Sequence, residues 1–187
     1  MPHALKRSAR GFTIIELLIV IVVIGVLLTI AAPQLRQMII SNQVRSVTAD
    51  LVNDLAVARS EAGKLGQRVV LCPTTTQNQA LNSIVCAASN NWSTGWIAFV
   101  DSTTVDNQRT TSGTPETIVR IKEGLPASVS FRTTGAPNFV SFRAIGVMNA
   151  AASFTVCPTD AGYYHLARTV TVTALGKVQS AAGGSCP

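Results

Sequence analysis

Lys6-Arg7-Ser8-Ala9-Arg10-Gly11-Phe12-Thr13-Ile14-Ile15-Glu16 opens onto a run from Leu17 to Ala32 that contains no charge, and the fold is decided by reading these two pieces together. Basic residues ahead of an apolar run keep the N-terminus in the cytoplasm and send the chain beyond the run across the membrane. Two plain readings fit that much. A secretory signal peptide would be cleaved after the apolar run, near an A-x-A site. A simple transmembrane anchor is just allowed by the length. Glu16 counts against both. An acidic side chain costs about 2.5–3.5 kcal/mol at the centre of a membrane helix, less near the interface, and a mere anchor gains nothing by carrying one. A charge there is a functional residue, and its natural partner is a cation arriving at the same depth. Cleavage after Gly11 would create one, the new amino group of Phe12.

A basic leader, Gly11, Phe12, Thr13, two apolar residues, Glu16 and then a long apolar helix together resemble the class III signal of type IV pilins and type II secretion pseudopilins. The resemblance implies that a membrane-embedded prepilin peptidase cuts between Gly11 and Phe12 and that Phe12 is N-methylated. Gly11 suits a cut site, because a residue without Cβ lets the backbone lie close to a protease. Glu16 would then neutralise an N-terminal amine during subunit addition, its own or a neighbour's.

The remaining composition is that of a folded protein. The 187 residues suffice for one domain plus an appendage, and only 13% are charged. Three of the basic residues, Lys6, Arg7 and Arg10, precede the apolar run. Without them 12 basic residues face 9 acidic ones, a mild excess that permits nucleic-acid binding by a local patch without arguing for it. The four cysteines, Cys72, Cys86, Cys157 and Cys186, form no C-x-x-C pair and have few histidines to join them, so no metal site is expected. An even count beyond an export signal points to disulfides in an oxidising compartment. Pairing between sequence neighbours, Cys72–Cys86 and Cys157–Cys186, is simplest, with two other connectivities open. No Walker motif or catalytic constellation is present, so neither enzyme activity nor a cofactor is expected. His165 reads as a surface or loop histidine.

Helical character continues beyond the apolar run. Val44, Val47, Leu51, Leu55, Ala58, Ala62 and Leu65 recur at three and four residues and make one apolar face, with Arg45, Asp50, Asn53 and Arg59 elsewhere on the wheel. The pattern predicts a helix from Phe12 to about Lys64, interrupted near Pro33. Pro33 lacks an amide donor and crowds the carbonyl near Thr29, and with Gly25 it marks a place to kink or unwind. Gly63 and Gly66 close the helix. Beyond them, β-branched residues at period two predict strands at 68–72, 96–100, 117–122, 128–132, 139–143, 153–157 and 168–173, with a short one near 177–179. Turn clusters at 89–91, 112–115, 134–137 and 160–162 separate them. The organisation predicted is a leader at 1–11, a hydrophobic membrane or filament helix at 12–33, an amphipathic half-helix at 34–66 and a β-rich head at 67–187. One long helix followed by many strands is an α+β fold, with the helix packed on an antiparallel sheet.

The head carries a narrower resemblance. Val70-Leu71-Cys72-Pro73, Asn91-Trp92, Gly95-Trp96-Ile97-Ala98-Phe99-Val100-Asp101, Phe131-Arg132 before Gly135, and Gly176-Lys177-Val178 are similar to the GspH/FimT (FimU-like) group of minor pilins and minor pseudopilins. Trp92 and Trp96 are read as plain core residues. The resemblance implies a type IV pilin-like fold and a minor pilin that enters or primes a type IV pilus. It implies other minor and major pilins, an inner-membrane assembly platform and the prepilin peptidase as partners. It places the chain first in the bacterial inner membrane, single-pass with its head in the periplasm, and then in the filament. A minor pseudopilin of type II secretion is the same fold in a different machine. Some FimT-like members bind DNA during natural transformation through a C-terminal pattern of Gly, a basic residue, any residue and a second basic residue. Here the stretch is Gly176-Lys177-Val178-Gln179, with Gln179 in the second basic place. Arg168, Lys177, Arg143 and Arg132 could form a patch, with Tyr163 or Tyr164 stacking on single strands, but solvated surface charges are the favoured reading.

Overall fold

The computed structural model describes residues 12–102, 107–132, 138–148 and 150–186. The chain divides into two units, Met1–Met38 and Ile39–Pro187. Helix α1 (Ile14–Leu65) contributes its apolar part to the first and its amphipathic part to the second. Gly66 follows it with φ +64°, the left-handed conformation that ends a helix and that glycine adopts without a Cβ clash.

The interruption expected near Pro33 is absent: α1 runs unbroken through Gly25 and Pro33. A proline inside a helix costs roughly 3 kcal/mol, chiefly by deleting one amide donor and crowding one carbonyl. The flanking Leu27-Leu28 and Gln34-Leu35-Arg36-Gln37 are good helix formers that carry the helix across the gap. Gly25 has open space where a side chain would stand.

In the second unit, Ile40, Val44, Val47, Leu51, Leu55, Ala58 and Ala62 are buried along one face of α1. Leu65, expected on that face, is half exposed at the end of the helix. The strands are β1 (Arg68–Pro73), β2 (Trp96–Asp101), β3 (Ile118–Lys122), β4 (Val129–Arg132), β5 (Val140–Phe142), β6 (Ala152–Pro158), β7 (Arg168–Val172) and β8 (Val178–Ala182). They form two four-stranded antiparallel sheets rather than one. Sheet A has the order β3-β2-β1-β5 and sheet B the order β4-β6-β7-β8. The division arises because β4 leaves its sequence neighbours and pairs with β6, Val129 opposite Pro158 and Arg132 opposite Thr155, while β5 returns to pair with β1.

Both sheets pack on the apolar face of α1 in one core cluster. Its centre is aromatic. Trp92 and Trp96 are fully buried, Trp92 lying edge-on to Phe154 of sheet B at 5.0 Å and Trp96 edge-on to Phe131 at 5.8 Å. Such pairs contribute about 0.5–1.5 kcal/mol each beyond their buried area, and here they bind one sheet to the other. Trp96 also donates its indole N–H to Asp54 Oδ2 of α1, 2.9 Å away.

Strands β1 and β2 are buried on both faces, because a second cluster (Val70, Cys72, Ile84, Cys86, Ile97 and Phe99) covers the face of sheet A away from the helix. The Cys72–Cys86 disulfide staples the segment after β1 onto that face. Buried Arg109 holds the same layer, donating to the carbonyls of Leu81, Ile84 and Glu116. The Glu116 carboxylate accepts from the amides of Ser102 and Thr110. Cys157 joins Cys186, so the sequence-neighbour pairing is the one formed. Closing loops of these lengths stabilises a fold by about 3–4 kcal/mol each on the chain-entropy account.

Candidate functional sites: the helix terminus and the basic face of the head

At the N-terminal end, Phe12 is exposed and α1 begins two residues later. Thr13 precedes the first helical turn, and its Oγ1 accepts the Glu16 amide at 3.2 Å. This is half of a capping box, in which a threonine before the helix satisfies an amide three residues on, at a place where four amides have no partner inside the helix. The structural consequence is a fixed first turn that carries the Glu16 carboxylate at the amide-rich end, where helix dipoles complement an anion. Thr13 stood in the quoted motif without a role of its own, although Thr-x-x-Glu is a legible capping pattern. Gly11, the expected cut site, lies outside the described residues.

From Ile14 to Leu28 the large apolar side chains of α1 are exposed on every side. No water-soluble chain tolerates such a surface, and about 20 apolar residues is the length that crosses a bilayer core. This part of α1 is long and apolar enough to cross a membrane.

On the head, the structure places Arg168 apart from Lys177. Arg168 opens β7, opposite Val156 and Ala182. Lys177 lies at the closed end of the β7–β8 hairpin, where its amide donates to Thr173 Oγ1. Five residues of strand, about 17 Å, separate those positions. Arg143 follows β5 of sheet A and shares a recess of about 360 Å³ with Arg68 and Asp101. The side chain of Arg132 lies outside the described set. The turns beside Lys177 and Arg143 touch. A Cβ on Gly176 would stand 2.2 Å from the Gly146 carbonyl. Arg59 of α1 clasps this junction, donating to the carbonyls of Gly176 at 2.9 Å and Leu175 at 3.0 Å. Sequence periodicity placed Arg59 on the outer side of the helix; nothing in the pattern marked it as the tie between α1 and both sheets.

His165 is exposed on a short 3-10 segment, 6.5 Å from the Tyr163 ring between centroids. Among the described residues no three His, Cys, Asp or Glu side chains gather as metal ligands.

The family described as Type II transport protein GspH matches residues 47–176, the span from mid-helix to the β7–β8 turn. This chain belongs to the GspH family of minor pilins and pseudopilins. The prokaryotic N-terminal methylation motif matches residues 6–32. Among solved structures, the fold of this GspH-family chain is similar to that of the type IV minor pilin FimU of Pseudomonas aeruginosa. The two are 18% identical, the match covers 74% of this chain and 87% of that one, and the TM-score is 0.52. The minor pseudopilin EpsH from the type 2 secretion system of Vibrio cholerae is 13% identical, with 76% and 99% covered and a TM-score of 0.47. A comparison with curated protein sequences gave no match.

Proposed function

We propose that this chain is a minor pilin, cut between Gly11 and Phe12, N-methylated on Phe12, and incorporated into a type IV filament or used to prime one. The observation that carries the reading is Glu16, held by the Thr13 cap in the first turn of a helix whose following turns are wholly apolar and exposed. A carboxylate at that depth needs a cation, and the amino group of Phe12 supplies it, on the same chain or on the subunit already in place. The apolar part of α1 holds the subunit in the inner membrane until assembly. Lys6, Arg7 and Arg10 keep the leader in the cytoplasm, facing the peptidase, and the head stands in the periplasm, where its disulfides form. Other pilins and the inner-membrane platform are its partners.

The family description favours a second machine with the same chemistry, the pseudopilus of type II secretion. Both readings share the processing step and the role of Glu16. DNA uptake finds less support, since Gln179 replaces the second basic residue and Arg168 stands apart from Lys177. The test is Glu16→Ala in cells that make the filament and lack a redundant subunit. The variant should remain in the membrane fraction while its amount in sheared filaments falls at least tenfold. Undiminished incorporation would sink the proposal.

A further inference from the structure

Helix α1 meets the two sheets along two flanks whose charges are arranged oppositely. On the sheet A flank, Asp50 and Asp54 stand one turn apart and face basic residues of β3. Lys122 Nζ is 2.7 Å from Asp50 Oδ2, and Arg120 Nε is 4.0 Å from Asp54 Oδ1. Opposite charges close that side. On the sheet B flank, a groove of about 640 Å³ lies between Arg45, Ala49, Val52 and Asn53 of α1 and Arg168 and Ser180 of the β7–β8 hairpin. Each wall brings a guanidinium. Neither Arg45 nor Arg168 makes a hydrogen bond or ion pair among the described residues. Arginine does not lose its proton in proteins, so both walls carry a fixed positive charge. The short side chains of Ala49 and Asn53 leave its floor open, and among the described residues β8 pairs only with β7.

We infer that this groove receives a carboxylate-bearing segment of another pilin-fold subunit, its acidic side chains seated between Arg45 and Arg168. The inference rests on the reading of the chain as a filament subunit. Arginine forks match carboxylates with two parallel hydrogen bonds and are favoured at protein interfaces. A third, acidic participant would complete on this flank the charge pairing that the sheet A flank completes within the chain. A nucleic-acid strand calls for a track of cations. Lys177, the next basic residue on the hairpin, stands at its far end, so Arg45 and Arg168 make a local clamp instead.

The test uses the full chain in assembled filaments. Asn53, exposed on the groove floor, is replaced by the photo-crosslinking residue p-benzoylphenylalanine, and the product is sequenced by mass spectrometry. A cross-link to an Asp- or Glu-containing segment of another pilin head is expected. It should fall at least tenfold when Arg45→Glu and Arg168→Glu are combined, and less than twofold with Lys177→Glu. Cross-linking to nucleic acid, to lipid or to a segment without carboxylates would overturn the inference. So would the absence of any product in filaments that contain the chain, or a product indifferent to charge reversal. Arg45→Gln separates docking from folding: exposed Arg45 makes no hydrogen bond or ion pair among the described residues, so Tm should hold while the cross-link weakens. A lowered Tm would make Arg45 a structural residue and refute the docking role. If the wild-type chain never enters filaments, the filament reading itself fails and the inference falls with it.

Discussion

Asp54 is a buried carboxylate whose removal and whose neutralisation should have different effects. It accepts the indole N–H of Trp96 at 2.9 Å, and Trp96 is fully buried. Asp54→Ala leaves that donor without an acceptor, and an orphaned buried donor costs about 1–3 kcal/mol. The lost pairing with half-exposed Arg120 adds little, because exposed ion pairs are worth at most about 1 kcal/mol. Asp54→Asn keeps an oxygen for the indole and removes only the charge, so it should lie within about 1 kcal/mol of wild type at neutral pH. Burial raises the Asp54 pKa above 3.8, with the Trp96 hydrogen bond and Arg120 opposing. The folded chain therefore holds the proton to higher pH than the unfolded chain. Its contribution is fully present below pH 3.8, falls as pH rises to the raised folded value, and is flat above it. Wild type should lose stability relative to Asp54→Asn over that window. The assay is urea unfolding of the full chain in detergent, followed by the fluorescence of Trp92 and Trp96, the only two tryptophans, from acid to neutral pH. An Asp54→Ala loss below about 0.5 kcal/mol would refute the argument, as would a wild-type advantage over Asp54→Asn that grows with pH.

Other outcomes hang on single contacts. Gly176 has φ +76° and its missing Cβ would meet the Gly146 carbonyl at 2.2 Å, so Gly176→Ala should lower Tm by more than the few degrees that about 1 kcal/mol represents. Arg59→Lys should destabilise nearly as much as Arg59→Ala in thermal unfolding, because an ammonium cannot reproduce the fork that reaches both Leu175 and Gly176. Under mild reductant, Cys157–Cys186 should open before Cys72–Cys86, since Cys186 is half-buried while Cys72 and Cys86 are both buried; alkylation with peptide mapping gives the order.

Local periodicity made much of this fold legible. The strand positions were readable from β-branched residues at period two, and each strand begins within one residue of its predicted start. The helix face from Val44 to Ala62 was readable from its spacing, and the pattern misled only at Leu65, the last residue of the helix, which is half exposed. What could not be read depends on contacts between distant residues. The pairing of β4 with β6 splits the strands into two sheets, and nothing local to Val129–Arg132 announces it. Arg168 and Lys177 are near in sequence, but an antiparallel hairpin puts them at opposite ends. Arg59 acquires its role only when two remote turns meet at Gly146 and Gly176. The cysteine spacing left three connectivities open until the fold brought Cys72 to Cys86 and Cys157 to Cys186. At the helix terminus the signal is local, and there the sequence was most informative, Thr13 as well as Glu16.

The central claim is that the chain is processed as a pilin and enters a filament. Intact-mass and N-terminal peptide analysis of the chain recovered from sheared filaments tests it most directly. The predicted result is a mature chain that begins at Phe12 with a methylated amino group and retains α1. A chain that keeps Met1, that begins beyond Ala32, or that is missing from the sheared fraction would contradict it.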